Sequence, residues 1–230
     1  MAVRAAPILV SIQGTRRTQM DAVGSARAGD VTALCVCDGM GSEPDSARVA
    51  DAVCTAALDH CRAHLNAPAD LAQPDGFVRA LNDRLETTAA GLAMRGTGAT
   101  TFALALVGSA GALAVWRGDS RVYAASRDGL WHTPDHADPH GYITRYFRGG
   151  APGRGPAEAC RIDLDGCFAV AAVSDGVSGP MRRDALHRYL AALTHRPDDS
   201  RSRHEERLED ALGDGLADNA SLAFLALREA

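Results

Sequence analysis

Four aspartates stand where apolar, strand-length runs end or turn. Asp38 follows Val31-Thr32-Ala33-Leu34-Cys35-Val36-Cys37 and precedes Gly39-Met40-Gly41. Asp175 closes Phe168-Ala169-Val170-Ala171-Ala172-Val173-Ser174 and is followed by Gly176. Asp119 sits in the tight turn Gly118-Asp119-Ser120, and Asp218 in Ala217-Asp218-Asn219 just before the last apolar run. Any one Asp-Gly is also the commonest of turn dipeptides. Recurrence at four strand ends is different, because carboxylates gathered on rigid backbone repel one another and are best tolerated when a divalent cation neutralises them. Gly39 and Gly41 permit positive φ, so that the Gly39 carbonyl can point the same way as the Asp38 carboxylate. A carboxylate beside a free carbonyl is a hard-oxygen pair suited to Mg²⁺ or Mn²⁺.

The rest of the chain must hold these acids in place. Its 230 residues suffice for one well-buried domain, and we read residues 1–230 as a single domain. With 46% hydrophobic and 23% charged residues the composition is that of a globular protein, and a net charge of −5 argues against a nucleic-acid footprint. Met1 to Gln13 carries only Ile8-Leu9-Val10 as an apolar centre, too short for a signal peptide, and no run approaches a membrane span. The six cysteines, Cys35, Cys37, Cys54, Cys61, Cys160 and Cys167, include no Cys-x-x-Cys pair. They read as buried free thiols of a reducing compartment, so the expected location is cytoplasmic.

In chain order, Ala6–Gln13 reads as a strand, and Thr15-Arg16-Arg17-Thr18-Gln19-Met20-Asp21-Ala22 as a polar loop. Pro44–Leu65 reads as a helix with Val49, Val53, Ala57 and Leu58 as its core stripe and Ser42 or Asp45 at its cap. Gly76–Met94 reads as a second helix. Thr100–Val107, Ala112–Trp116, Arg121–Ala125 and Gly129–His132 are short strands whose spacing suggests an antiparallel meander. Thr133–Ala159 has no regular pattern. Arg161–Leu164 and Cys167–Val173 read as a hairpin around Asp165-Gly166, Met181–Leu193 and Glu205–Leu216 as helices, and Ser221–Leu227 as the closing strand. Helices, then strands, then helices and a strand make an α+β fold rather than a βαβ alternation.

Asp38-Gly39-Met40-Gly41, Gly98-Ala99-Thr100-Thr101, Gly118-Asp119-Ser120-Arg121, Ser174-Asp175-Gly176 and Asp218-Asn219 occur in the order and approximate spacing of the metal-dependent type 2C serine/threonine protein phosphatases. Thr133-Pro134-Asp135-His136 resembles that family's short motif before its variable segment. The resemblance spans about Arg16 to Leu227 and suggests a small bacterial-type member. It implies a four-layer α-β-β-α sandwich of two antiparallel sheets flanked by helices. It also implies two Mn²⁺ or Mg²⁺ ions and a weaker third. By position, Asp38 would bridge two ions, Gly39 would lend its carbonyl, Asp175 and Asp218 would complete the other ion, and Asp119 would share the third with Asp175. Arg16 would grip phosphate. The implied reaction is hydrolysis of phosphoserine or phosphothreonine in proteins by a metal-activated water, with no phosphoenzyme. A phosphoprotein is the implied substrate, a cognate Ser/Thr kinase a partner, and the chain is expected to be a monomer.

Two positions depart from the family pattern. Met20 stands where an acid usually helps to hold the second ion, leaving Asp21 to orient a metal-bound water from behind or to be a plain surface acid. Met40 replaces a histidine that some members carry. Met20 and Met40 read either as a rim to the site or as packing. Asp135 has the same two readings as Asp21. His132, His136 and His140 recur every four residues, but Pro134 and Pro139 exclude a helix there, so they belong to a loop. The short variable segment, with Arg145, Arg148 and Arg154, either meets substrate or solvates a loop. Two other functions therefore stand beside the phosphatase: a phosphatase-fold signalling module with weak or no catalysis, and a small-molecule phosphohydrolase.

Overall fold

The computed structural model describes residues 6–41, 45–65, 71, 74–94, 96–109, 111–213 and 216–227. Among them, β1 is Ile8–Ile12, β2 Ala22–Ala28, β3 Val31–Cys37, α1 Asp45–His64, α2 Asp75–Ala90, β4 Ala99–Thr100, β5 Phe102–Gly108, β6 Gly111–Arg117, β7 Arg121–Ser126, β8 Gly129–His132, β9 Phe147–Arg148, β10 Glu158–Ile162, β11 Cys167–Val173, α3 Asp175–Ser178, α4 Arg183–Thr194, α5 Arg201–Leu212 and β12 Ala220–Ala226. Two five-stranded antiparallel sheets form, in the orders β1-β12-β11-β7-β8 and β10-β6-β5-β3-β2, with a small β4-β9 pair beside them.

Strand periodicity builds four layers. Along β3, every residue is buried. Ala33, Cys35 and Cys37 face a core shared with α1 and α2, where Val53, Leu81 and Leu85 also lie. Leu34 and Val36 face the opposite way, into an inter-sheet core with Val170, Ala172, Ala223 and Leu225. A third core joins the other sheet to α4 and α5 through Phe224, Leu186, Leu190 and Leu208. Side chains alternating between faces make a strand buried on both sides read as one unbroken apolar run, as β3 does. The expected four-layer α-β-β-α arrangement is thus observed.

Several expected elements shift or split. The first helix runs Asp45–His64, and Ser42 and Pro44 lie outside the described residues. Asp45 is helical, and its carboxylate accepts from the Gly96 N–H at 2.8 Å. The second helix ends at Ala90, and the last starts earlier, at Arg201, where the Ser200 hydroxyl accepts from the Arg203 N–H. β2 was missed: its sequence, Ala-Val-Gly-Ser-Ala-Arg-Ala, mixes glycine and arginine with small residues, and it is an edge strand. The meander is really two hairpins in different sheets. β5 pairs β6 and β7 pairs β8, while Gly118-Asp119-Ser120 carries the chain from one sheet to the other. Likewise Asp165-Gly166 is no hairpin turn, because β10 pairs β6 and β11 pairs β7 and β12. Turn residues reveal that the chain reverses, not which sheet receives the next strand.

Candidate metal and phosphate site

The acids meet at one end of the sandwich because the motif residues around them bond to one another. Asp38 leaves β3, and its carbonyl accepts from the Thr101 N–H and the Thr100 hydroxyl, both at 2.9 Å. Gly39 bridges Thr100, the Met40 N–H donates to the Ala99 carbonyl, and the Ser46 hydroxyl donates to the Met40 carbonyl at 2.6 Å. Gly41 takes the expected positive φ, +80°, but Gly39 does not. Gly39 is required for space: a β-carbon there would lie 2.6 Å from the Met20 carbonyl oxygen and 2.9 Å from its Cβ.

Asp119 is held by the crossing between sheets. Gly118, at φ +109°, packs on Thr101, whose hydroxyl bonds to that of Ser120 at 2.6 Å. His136 clasps Gly118 from both sides, its Nδ1 accepting from the Gly118 N–H at 3.1 Å and its own N–H donating to the Gly118 carbonyl at 2.9 Å. The His136 ring stacks on Trp116, and Arg121 grips Asp135 with two bonds of 2.6 Å. Thr133-Pro134-Asp135-His136 is therefore the brace of the Asp119 turn. Asp135 acts on Asp119 through its charge. Of the three recurring histidines, His136 and His140 lie in the expected loop, whereas His132 ends β8, paired with Tyr123. Arg145 pairs with Glu158, both partly exposed, whereas Arg148 and Arg154 are exposed.

At the other side, the Ser174 hydroxyl donates to Asp21 Oδ2 at 2.9 Å and accepts from the Ser221 N–H, tying β11 to β12 beneath Asp175. A β-carbon on Gly176 would lie 1.9 Å from the Asn219 carbonyl oxygen, so only glycine lets α3 pass there. Asn219 is a residue whose work the sequence did not disclose. Its side-chain carbonyl accepts from the Met20 N–H and its amide donates to the Gln13 carbonyl, both at 2.8 Å, so it closes the Gln13–Met20 loop that carries Arg16. Arg16 Nη2 meets Asp218 Oδ2 at 2.6 Å, while Arg17 is exposed. Met20 is buried at 5% exposure, which favours packing over a rim; Met40 is half-buried.

The electrostatics are those of crowded anions. Burial, then the charges of Asp21, Asp175 and Asp119, push the Asp38 carboxyl well above the usual range. Burial pushes Asp21 up to about 6, and burial with the Asp175 charge pushes Asp119 up to about 6. Arg16 is stabilised as a cation by Asp218 first, and also by Asp38 and Asp175. Asp21 Oδ1 and Asp119 Oδ1 are buried without a hydrogen-bond partner among the described residues. Orphaned carboxylate oxygens facing mutually repelling neighbours are the kind of donor a hard divalent cation takes. Among the described residues no three of the acids bring oxygens within 4.8 Å of one another, so a bound ion would draw them closer. A cleft of about 290 Å³ opens beside Asp175 and Asp218, lined also by Pro180, Leu212 and Leu216.

No curated protein matches the chain in sequence. Solved structures do resemble it. A bacterial serine phosphatase is 19% identical over 99% of each chain, with a TM-score of 0.78. The serine/threonine phosphatase Stp1 from Staphylococcus aureus is 19% identical over 100% of this chain and 97% of its own, with a TM-score of 0.77. The PPM Ser-Thr phosphatase MsPP from Mycobacterium smegmatis, solved with cacodylate, is 20% identical over 97% and 98%, with a TM-score of 0.68. At such identities these likenesses establish the fold. The family model for protein phosphatase 2C, however, matches residues 14–213, taking in Arg16, Asp38, Asp119 and Asp175, and the chain belongs to the protein phosphatase 2C family.

Proposed function

We propose that this protein is a metal-dependent phosphatase that hydrolyses phosphoserine and phosphothreonine in proteins. The observation that carries the reading is the convergence of Asp38, Asp119 and Asp175, whose charges act on one another, with Arg16 against Asp218 at their edge. Asp38, Asp175, Asp218 and the Gly39 carbonyl are the groups to hold two Mn²⁺ or Mg²⁺ ions, with Asp119 serving a weaker third. When bound, such ions neutralise phosphoryl oxygens and lower the pKa of water.

The chain's own groups supply the rest. The Arg16 guanidinium is a planar fork that can hold two phosphate oxygens at once, and engaging them means exchanging Asp218 for substrate. Asn219 sets where that fork sits by fixing the loop at Met20 and Gln13. Asp21, bonded to Ser174 beside Asp38, is placed to orient a water by accepting its proton in a hydrogen bond. The cleft beside Asp175 and Asp218 is partly apolar, which suits residues flanking a phosphorylated side chain better than a bare small phosphate. A monomer in the cytoplasm acting opposite a Ser/Thr kinase is the corresponding setting. Among the described residues, no helix is long and apolar enough to cross a membrane.

Buried Met20, standing where the family usually has an acid, favours a second reading, a signalling module that keeps the fold with weak or no catalysis. Phosphate release from a phosphothreonine peptide with Mn²⁺, Mg²⁺ or EDTA decides between them. Release with Mn²⁺ that EDTA abolishes supports the phosphatase; no release with any metal supports the module, and release only from small phosphate esters points to a small-molecule phosphohydrolase.

A further inference from the structure

Behind Asp38, on the face of β3 that meets α1, three thiols converge. Cys35 and Cys37, two apart and so on one face, meet Cys54 from α1, and the three sulfur atoms all lie within 4.8 Å of one another. Cys35 and Cys37 are fully buried and Cys54 is 5% exposed. Each thiol is close enough to the other two to shift their titration. Among the described residues no fourth His, Cys, Asp or Glu joins the group.

We propose that Cys35, Cys37 and Cys54 form a three-thiol site for a trivalent thiophilic element, with arsenous acid as its simplest ligand. Geometry allows it. Three sulfurs bonded at about 2.3 Å to one pyramidal atom lie about 3.5 Å apart, so the trio has to draw in by up to about 1.3 Å. Charge chooses the element. Three thiolates around Cu⁺ would carry a charge of −2, and around Zn²⁺ a charge of −1 with the fourth zinc position unfilled. Either leaves uncompensated negative charge in a dry core, one residue from Asp38 and close enough to Asp21 for its charge to act on Cys37. A trivalent centre leaves none, and it needs no fourth ligand. The reaction balances without an oxidant or reductant: As(OH)₃ and three thiols give As(SR)₃ and three waters. Each As–O bond broken is replaced by an As–S bond, and each thiol proton leaves with a hydroxyl. Arsenous acid is small and neutral. The edge strand β2 carries Gly24 opposite Cys35, with the place of its missing β-carbon 3.7 Å from Cys54 Sγ. The buried Leu58 side chain covers that spot, its Cδ1 2.6 Å from the same place, so entry requires Leu58 to swing aside.

The full chain, reduced and metal-free, is titrated with arsenite and weighed intact by mass spectrometry. Every As–S bond expels one water, so the adduct mass itself counts the sulfurs. One equivalent is expected to yield a species heavier by one arsenic and lighter by three hydrogens, with its label on the peptides of Cys35, Cys37 and Cys54. Cys54→Ser is expected to stop at the two-sulfur adduct, which retains one hydroxyl, with binding weakened about 10-fold or more by the lost intramolecular ligand. The double variant Cys160→Ser/Cys167→Ser is expected to bind as the wild type does. The proposal is overturned if the wild type gives only one- or two-sulfur adducts, or if the three-sulfur adduct survives Cys54→Ser. Labelling mapped to Cys61, Cys160 or Cys167, or displacement of arsenic by equimolar Zn²⁺ or Cu⁺, would also overturn it. The decisive count is made on the wild type, so a misfolded variant does not cloud it, and it is read without any phosphatase assay.

Discussion

Arg16 Nη2 donates to Asp218 Oδ2 at 2.6 Å, so the arginine proposed to grip phosphate is held by an acid proposed to hold a cation. Both side chains keep more than a third of their surface exposed, 37% and 39%. A pair this wet contributes about 0.2–1 kcal/mol, far less than a charge-assisted bidentate contact to phosphate. The pair is thus weak enough to yield when substrate and ions arrive.

Arg16→Ala is expected to raise KM for a phosphopeptide about 10-fold or more, the loss of roughly 1.5–3 kcal/mol of charged hydrogen bonding. Freeing Asp218 should lower the half-saturating Mn²⁺ by no more than about 5-fold. Steady-state rates across both titrations check this. If the exposed neighbour Arg17→Ala produces the KM effect instead, the register of the loop is wrong.

Asp38→Asn and Asp175→Asn are each expected to abolish Mn²⁺-dependent hydrolysis while keeping the fold. Asp38→Asn in EDTA should melt a few degrees higher, because burial and then its neighbours' charges disfavour the Asp38 carboxylate. Substantial turnover by either variant contradicts the proposed cation site; an unchanged melting temperature for Asp38→Asn contradicts the electrostatic account.

Stability of the metal-free chain should fall as pH rises from about 4 to about 6. Asp21 and Asp119 are raised from 3.8 to about 6 in the folded state, so there the folded chain binds more protons than the unfolded chain. Their contribution is intact below the unfolded value and is lost as pH climbs through the folded one. The expected fall is on the order of 2 kcal/mol for each of the two groups, or about 4–8 °C in Tm apiece. Thermal melts in EDTA against pH test it, and Mn²⁺ should flatten the profile. A rise in Tm across that window would give the site the opposite sign.

Met20→Glu places a carboxylate in a buried position against Gly39. Without metal it should lower stability by about 1–3 kcal/mol, and with Mn²⁺ it should reduce the half-saturating concentration about 10-fold. Identical Mn²⁺ curves for the two proteins would mean that another acid, such as Asp21, already fills the role.

Asn219→Ala leaves the Met20 N–H and the Gln13 carbonyl without their partner, at a cost of about 1–3 kcal/mol. Because the loop carries Arg16, KM for phosphopeptide should rise while the Mn²⁺ requirement stays put. A variant that only melts earlier, with unchanged KM, would make Asn219 purely structural.

Residue order alone determined a good deal of this protein. Val31–Cys37 declared a doubly buried strand because both faces of β3 need apolar side chains, and the five short motifs named the acids and the family because metal and phosphate chemistry restricts which residue types can stand there. Local signals went no further than local structure. Gly118-Asp119-Ser120 and Asp165-Gly166 announced reversals, yet the sheet that received β7 and β11 depended on partners far along the chain. β2 escaped notice because this edge strand, three alanines with single Val, Gly, Ser and Arg, has only one large apolar residue to mark a face. The clasp of His136 on Gly118, the closure of the Arg16 loop by Asn219, and the Arg16–Asp218 pair join residues 18, 206 and 202 positions apart. The same holds for the three thiols, which sit on two elements and become one cluster only when α1 packs on β3. Hydrogen bonds and charges act over a few ångströms in space, and only the packed sandwich decides which distant residues come within that range.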